Sequence, residues 1–354
     1  MQQSAIADPD GTLNPRKSAN AIVVAIVSYG IPADVLACLS ALSHSSFTDF
    51  EIIIVENAGS AAFDRLAAAL ESAFPLPPAA PTSSPLANAK QVGAACVRSR
   101  CYRLPGAQPI LAIEADDNLG YGGGINLALR CLTGTTDWHG IWVLNPDTEP
   151  APTALEMLSK HANAGAYGVV GCRLVFAGRG SIQMRGGQWS RLIARGISLG
   201  YGEPADAAAD VDAIERQLQW ISGAALYATR SFVATVGPMA ERYFLYDEDV
   251  DWCMRRGRFT LGYAHNAVVY HKHSTTIGSA PKMADRSNLS IYLTERNKLL
   301  LTRAHFPVLY LLVVLVTFCL TFDYLIRGNR RVFAVARRGW CAGVRGETGR
   351  PTRV

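Results

Sequence analysis

The stretch AIVVAIVSYG, residues 21–30, decides the fold class. Its unbroken run of apolar, mostly β-branched residues ending in glycine is typical of a strand buried on both faces of a parallel sheet. Apolar residues at helical spacing follow it, and FEIIIVENAGS, residues 50–60, then repeats the strand pattern. Strand, helix and strand joined by short connections predict an α/β sheet with helices packed on its faces.

The same rhythm returns twice further along the chain. PILAIEADDNLGYGGGINLALRCL (109–132) predicts a strand, a glycine-rich turn and a helix that begins near Ile125. GIWVLNPDTEP (140–150) predicts another central strand, which runs directly into a polar turn. Between these repeats, residues 75–109 contain a segment rich in Pro and Ser and predict a surface insertion.

Polar residues stand where each predicted strand ends. In an open parallel sheet, ligands bind at the carboxyl ends of the strands, so these residues are expected to meet at one site. They are Tyr29, Glu56, Asn118, Asn145 and Asp147.

Composition and charge limit the classes of protein to which the chain can belong. The net charge is +5, and the eight cysteines are scattered without a C-x-x-C pair, which is typical of neither a disulfide scaffold nor a zinc site. A reducing cytosol is therefore the expected compartment. The first twenty residues lack an apolar core, so we expect no signal peptide.

Three motifs carry candidate chemistry, each with a simpler alternative. The glycine run at 118–124 suits close approach to a phosphate, although a glycine run alone is more often a flexible turn. It is not a dinucleotide fingerprint, because Ile125 breaks the G-x-G-x-x-G pattern. Asp147 is a hard-oxygen ligand suited to Mg²⁺ or Mn²⁺, or else part of an ordinary Asx turn.

YFLYDEDVDWCMRR (243–256) contains four carboxylates within five residues, in an apolar setting. Crowded carboxylates raise one another's pKa, which suits a general base, whereas solvated acids at a helix N-terminus are the simpler interpretation. VVYHKHSTT (268–276) places His271 and His273 after a further strand, where either could support a metal site.

Taken in order, these motifs resemble the inverting family-two glycosyltransferases, and within them the rhamnosyltransferase-like branch. The matching stretches are IVSYG, IIIVENAGS, DNLGYGGGINLAL, WVLNPDTEP, WISGAALYATRSFVATVGPMAERYFLYDEDVDWCMRRG and AVVYHKHSTT with ERNKLLL, across about residues 21–303. The resemblance implies a GT-A fold, a nucleotide-diphosphate sugar donor (dTDP- or UDP-linked) and a divalent cation.

The resemblance also implies roles for individual residues. Asp249 would be the catalytic base with Glu248 beside it, and Asp147 and His271 would be associated with the metal. The donor would be bound by Tyr29, Glu56, Asn118, Gly120, Gly122, Asn126 and Asn145. Trp220, Ser222 and Gly223 would form the acceptor side, where Arg255 could hold the acceptor. The chain departs from the family pattern at Glu56 (usually Asp), Gly30 (usually Asn) and Ile125 (usually Asn), and these departures concern donor identity.

The carboxyl-terminal segment predicts membrane association. FPVLYLLVVLVTFCLTF (306–322) is 17 residues without a charge, and as a helix it is about 25 Å long, slightly less than a ~30 Å hydrocarbon core. The chain from Arg327 onward is rich in arginine, with Glu347 as its single acid. Basic flanks on both sides favour an interfacial or re-entrant helix over a buried core helix.

We therefore predict three parts, a polar tail (1–20), a glycosyltransferase domain (21–303) and a hydrophobic helix with a basic tail (304–354). The expected activity is metal-dependent, inverting hexosyl transfer of rhamnose or a similar deoxysugar. The expected acceptor is a lipid-linked or cell-surface glycan at the cytoplasmic face of the membrane, and no nucleic acid is expected as a partner. One alternative is a degenerate member that binds nucleotide or glycan without turnover, and a nicotinamide-dependent Rossmann enzyme is a weaker one.

Overall fold

The structure is a computed structural model, and it describes residues 21–74, 95–135, 137–272, 285–352 and 354. The predicted N-terminal tail, most of the Pro/Ser-rich segment and His273 lie outside the described residues.

The strands are β1 (Ala21–Ser28), β2 (Phe50–Glu56), β3 (Cys96–Arg103), β4 (Pro109–Ala115), β5 (Trp138–Leu144), β6 (Thr148–Pro150), β7 (Tyr167–Phe176), β8 (Ile182–Met184), β9 (Gly187–Ser190), β10 (Arg195–Ser198), β11 (Ala225–Thr229) and β12 (Thr260–His271). The α-helices are α1 (Pro32–Ser43), α2 (Ser60–Ala73), α3 (Gly120–Cys131), α4 (Ala154–Asn163), α5 (Val211–Gln217), α6 (Arg230–Val236), α7 (Glu248–Met254), α8 (Asn288–His305), α9 (Tyr310–Ile326) and α10 (Arg330–Arg345).

One mixed sheet organises the described residues, with strand order β3-β4-β2-β1-β5-β11-β7-β12-β6 and β8 paired to β7. The neighbours β4, β2, β1 and β5 are parallel, as the buried apolar runs predict. β11 runs antiparallel to both β5 and β7. The predicted α/β architecture is confirmed, and the carboxyl ends of the four parallel strands share one edge.

Part of the segment predicted to be an insertion belongs to this sheet. β3 pairs antiparallel with β4 and extends the sheet by an edge strand. Its arginines are half-exposed, and Arg98 pairs with the buried Glu114 and with Asp64. Charged side chains on an edge strand discourage pairing with another chain, which explains why this strand lacks the apolar pattern of the central ones.

The last three helices form a layer, called here the C-terminal helical layer (α8–α10). α10 packs closely on α8, because Gly339 lies against the backbone of Tyr292 and Gly343 against the backbone of Arg296. A side chain at either glycine would overlap that backbone. α10 is therefore packed against α8.

Candidate active site

The pair formed by Asp147 and His271 lies at the carboxyl edge of the sheet. β6 and β12 pair antiparallel with His271 opposite Thr148, and Lys272 N donates to Asp147 O at 2.9 Å. This pairing brings His271 Nε2 to 3.2 Å from Asp147 Oδ1, and both side chains are buried. Two residues 124 positions apart in sequence thus share one site, as the strand-end argument predicts.

The carboxylate and imidazole of this pair can ligate a divalent cation, but two ligands are too few to hold one. Gln183 Oε1 lies 2.8 Å from His271 Nδ1, an arrangement in which Nδ1–H donates and Nε2 faces the carboxylate of Asp147. Metal-bound histidines commonly have such a partner on the second nitrogen. Among the residues that the structure describes, no three His, Cys, Asp or Glu side chains are grouped to hold a metal by themselves, so this pair would need further ligands from a bound substrate.

Asp249 is held in a defined orientation at the start of α7. Its Oδ2 accepts from Gly223 N at 2.7 Å and its Oδ1 from Val250 N at 2.8 Å. Burial raises the pKa of Asp249, and these backbone N–H groups partly oppose the rise. The carboxylate is thus oriented by the backbone, with a raised pKa of the kind that suits a general base.

The two preceding acids, Asp247 and Glu248, also have raised pKa values. Burial and the neighbouring charge of Asp249 raise the pKa of Glu248 well above its usual range, and one of its oxygens has no hydrogen-bond partner among the described residues. Burial, followed by the charge of Asp249, raises the pKa of Asp247 to about 7. Of the acids in this motif, Asp249 is the one with both oxygens hydrogen-bonded to backbone N–H groups.

Asp251 belongs to a separate ion cluster. Burial alone would raise its pKa, but His305, Arg255 and Arg242 outweigh burial and lower the pKa to about 2. Arg255 donates to Asp251 Oδ2 at 2.7 Å and to the carbonyls of Val236 and Pro238. The guanidinium of Arg255 is thus bound inside this cluster, and the acceptor-side role expected for Arg255 stays a prediction.

Tyr121 is linked to Asp249 through Gly223. Sequence reasoning did not single out this residue. Its hydroxyl donates to Gly223 O at 2.6 Å, while Gly223 N donates to Asp249. Burial raises the pKa of Tyr121 well above its usual range, and the charges of Glu248, Asp249 and Asp147 raise it further. Tyr121 is therefore tied through Gly223 to the base candidate Asp249.

The loop before α7 is strained and firmly held. Phe244, Tyr246 and Asp247 have φ values of 65°, 71° and 67°, a left-handed conformation that costs energy for non-glycine residues. Asn297 Nδ2 donates to the carbonyls of Tyr243, Leu245 and Tyr246, at 3.1, 2.8 and 2.9 Å. Asn297, which belongs to α8, therefore holds the loop in this conformation.

Arg296 strengthens this clamp and links it to the end of the chain. Its guanidinium donates to Tyr243 O at 2.8 Å and to Gly349 O at 2.7 Å. The sequence offers a signal, since Arg296 and Asn297 are polar residues beside the apolar run LLL (299–301), and buried polar side chains need partners.

The glycine run packs closely against other parts of the chain. α3 begins at Gly120, five positions before the predicted start at Ile125. Gly120 lies against the backbone of Phe244, and Gly122 lies against Met239 and Glu248. Gly124 lies against Val27. The glycines allow close approach, but the observed neighbour in each case is another part of the chain.

The polar residues around this run are also engaged within the protein. Asn118 Oδ1 accepts from Gly120 N at 3.0 Å, and Phe244 O accepts from Tyr121 N at 2.8 Å, which uses two N–H groups at the start of α3. Asn126 bonds to both backbone groups of Met239. The side chain of Asn126 thus holds the segment near residue 239. The donor-binding roles expected for Asn118, Asn126, Gly120 and Gly122 stay predictions.

Glu56 lies inside the protein, below the strand ends. It is fully buried, and it accepts hydrogen bonds from Ser28 Oγ, Gly30 N and Ala58 N. Gly30 has a φ of 69°, a conformation that Asn also tolerates, which accounts physically for either residue there. Glu56 therefore shapes the turn that presents the half-exposed Tyr29, and the donor-binding role expected for Glu56 stays a prediction.

The remaining predicted residues are Asn145 and members of the segment 220–224, which precedes β11 and is called here the wall. Asn145 N donates to Ala224 O at 2.9 Å, and Ser222 Oγ accepts from Ala224 N at 3.2 Å. Trp220 Nε1 donates to Gln188 O at 3.1 Å, which ties this wall to the β9–β10 hairpin. Of these residues, Gly223 lies beside Asp249 and donates to it, and the acceptor-side role expected for Trp220, Ser222 and Gly223 stays a prediction.

A cavity of about 740 Å³ lies elsewhere, at the amino ends of β5, β7 and β12. Trp138, Tyr167 and Phe259 are among its lining residues. It does not include any of the residues discussed above, so its size carries no information about the candidate active site.

Comparison with known proteins gives consistent results. No family model matches the chain. The chain is 29% identical over 204 residues to the N-acetylglucosaminyl-diphospho-decaprenol L-rhamnosyltransferase of Mycobacterium tuberculosis, covering 51% of this chain and 65% of that protein. It is 23% identical over 252 residues to the low-salt glycan biosynthesis hexosyltransferase Agl10 of Haloferax volcanii, covering 68% and 78%. The chain thus matches just under two thirds of the first relative's length.

Among solved structures, GalNAc-T7 with UDP, GalNAc and Mn²⁺ superimposes with a TM-score of 0.51 at 9% identity, covering 78% of this chain and 48% of that one. Such low identity bears on the fold alone. The sequence and structure comparisons together confirm the predicted resemblance to the rhamnosyltransferase-like glycosyltransferases and the predicted GT-A fold.

Proposed function

We propose that the protein is an inverting, metal-dependent glycosyltransferase. The observation that carries this proposal is the presence of two groups at the carboxyl edge of the sheet, the buried Asp147–His271 pair and the carboxylate of Asp249, which the N–H groups of Gly223 and Val250 orient. A carboxylate–imidazole pair suited to a cation on one side, and an oriented carboxylate with a raised pKa on the other, match the needs of sugar transfer from a diphosphate.

In this mechanism Asp249 removes the proton from an acceptor hydroxyl. The hydroxyl oxygen then forms a bond to the anomeric carbon while the bond from that carbon to the diphosphate oxygen breaks, and the diphosphate leaves on the opposite face. Asp147 and His271 would hold a divalent cation, which, when bound, neutralises charge on the leaving diphosphate. Tyr121 fixes Gly223, which in turn orients the base.

The donor is proposed to be a dTDP- or UDP-linked rhamnose or similar deoxysugar, and the acceptor a lipid-linked glycan. The relative from M. tuberculosis, whose name specifies L-rhamnosyl transfer to a decaprenol-linked N-acetylglucosamine, supports this choice. The neighbour solved with UDP and Mn²⁺ fits a nucleotide donor and a divalent cation. A location at the cytoplasmic face of a membrane would bring the protein to such an acceptor.

The test is a panel of nucleotide sugars, assayed by thermal stabilisation with and without Mn²⁺ and then by transfer to a prenyl-diphosphate N-acetylglucosamine. Ligand binding raises the unfolding temperature by mass action. Asp147→Ala should lose the Mn²⁺-dependent stabilisation and keep the fold, whereas Asp206→Ala, an exposed acid outside the site, should behave as wild type. Binding without transfer to any acceptor would favour the degenerate-binder alternative.

A further inference from the structure

The outer face of α9 is an extended apolar surface. Within the described residues, Pro307–Ile326 is long and apolar enough to cross a membrane by length and composition, yet little of it is buried. Leu311 is 76% exposed, Leu315 65% and Ile326 83%. A monomeric soluble protein rarely exposes so many large apolar side chains on one element.

The packing of α9 shows how it is oriented relative to the domain. Its inner stripe, Val313, Thr317 and Thr321, is buried at helical spacing. Trp340 of α10 donates to Thr317 Oγ1 at 3.1 Å, and the rings of Phe322 and Phe333 lie 5.2 Å apart. α9 therefore runs antiparallel to α10 and packs against it along its length.

α10 is in turn fixed to α8, whose middle turns contain the buried Glu295, Arg296, Asn297 and Lys298. Because α10 lies along α9, a bilayer that surrounded α9 would also have to enclose the exposed Arg330, Arg337 and Arg338 of α10. Burying charged groups in hydrocarbon is costly. α9 therefore cannot cross a membrane while the C-terminal helical layer stays assembled, and it can meet one only in the plane of its surface.

A second element, distant in sequence, extends the same surface. At the tip of the β9–β10 hairpin, Leu192 is 53% exposed and Ile193 is 37% exposed. The neighbouring Trp189 and Ala194 belong to one apolar cluster with Val313 of α9. Arg191 lies over the ring of Phe306, just before α9, at 5.1 Å. The hairpin tip and α9 are therefore adjacent.

Basic residues border this surface. Arg330 and Arg337 lie three and four positions from Phe333, next to the stripe of α10 that contacts α9. Both are exposed, and neither has a carboxylate partner in the described part of the chain, whereas Arg327 is paired with Asp323. An apolar face with an arginine border is complementary to anionic lipid head groups above an acyl region.

We propose that α9 and the tip of the β9–β10 hairpin form a composite docking surface for an anionic bilayer, with α9 lying in the membrane plane. This inference rests on the membrane association proposed above and adds its orientation and its second element. The hairpin reaches Trp220 and hence the wall beside Asp249, so docking would place the acceptor side of the site toward the membrane.

The test uses flotation of the full-length protein with vesicles of phosphatidylcholine alone or with 30% phosphatidylglycerol. We expect strong binding to the anionic vesicles, weakened by salt. Leu311→Glu with Leu315→Glu, and separately Ile193→Glu, should reduce binding at least tenfold. Arg330→Gln with Arg337→Gln should reduce binding to anionic vesicles about 25-fold, since each basic residue contributes roughly fivefold. Val97→Glu is the matched control, an exposed apolar residue on edge strand β3.

All variants should keep wild-type unfolding temperatures and donor binding, because the altered side chains are exposed. The bound protein should be extracted by alkaline carbonate, as expected for an in-plane helix. Carbonate-resistant binding with a protease-protected C-terminus would overturn the in-plane orientation. If wild type does not float, or if it is a dimer that Leu311→Glu dissociates, the surface is not a lipid surface. None of these readouts needs sugar transfer, so a failure of the proposed activity would be seen separately.

Discussion

Replacing Asp249 by Asn is the sharpest test of the proposed chemistry. General-base catalysis contributes about 10²–10⁴-fold to rate, so Asp249→Asn should lose at least that factor in transfer. The structure shows that this substitution also lowers stability, and that effect must be distinguished from the loss of catalysis. Both carboxylate oxygens accept from backbone N–H groups, and an amide would direct its NH₂ group at one of them. A buried donor left unsatisfied costs about 1–3 kcal/mol.

Glu248→Gln is the matched control. Burial and the charge of Asp249 raise the pKa of Glu248 well above its usual range, and a protonated glutamic acid closely resembles glutamine in shape and hydrogen bonding. This variant should therefore keep most of its activity. Transfer rate, donor affinity and unfolding temperature should be measured for both variants.

The expected result is a large loss of rate in Asp249→Asn with donor affinity retained. The wild-type rate should also fall as pH is lowered through a value above the ordinary Asp range, because burial raises the pKa of Asp249 and the base acts only when deprotonated. Near-normal transfer by Asp249→Asn together with an inactive Glu248→Gln would show that the base is Glu248 and not Asp249. If both remain active, the loop is structural.

Three further predictions follow from the surroundings of the site. Asp247→Asn should stabilise the protein at pH 8, by a few kcal/mol at most, and have little effect at pH 4. The folded-state pKa of about 7 lies above the ordinary Asp value of 3.8, so stability falls as pH rises between the two; equal unfolding temperatures for variant and wild type at pH 8 would contradict this. Asn297→Ala should cost about 2–4 kcal/mol by removing hydrogen bonds to three loop carbonyls, and should lower transfer rate as well as stability, whereas an effect on stability alone would show that the loop conformation is not needed for transfer. Deleting residues from Phe306 onward should lower the denaturation midpoint, because α10 covers α8; an unchanged midpoint would show that the segment is an independent tail.

The sequence alone determined the central architecture and the order of the motifs. Strands such as Ala21–Ser28 are buried on both faces, and burial on both faces demands an unbroken apolar run that can be read directly. The meeting of Asp147 with His271 was predictable for a related reason, since both follow strands whose carboxyl ends share an edge. These are consequences of local periodicity and parallel topology.

Tertiary structure decided which polar side chains remain available to a ligand. Glu56, Asn126 and Arg255 carry suitable chemistry in the sequence, but each is bound to other parts of the chain. Tyr121 and Asn297 acquire their importance from contacts with residues more than 50 positions away. The glycines of α10 allow α10 to pack on α8. This packing likewise decided the orientation of α9, which lies along α10. Sequence periodicity reports which face of an element is buried, whereas the partner that a polar atom finds depends on long-range packing that no local pattern encodes.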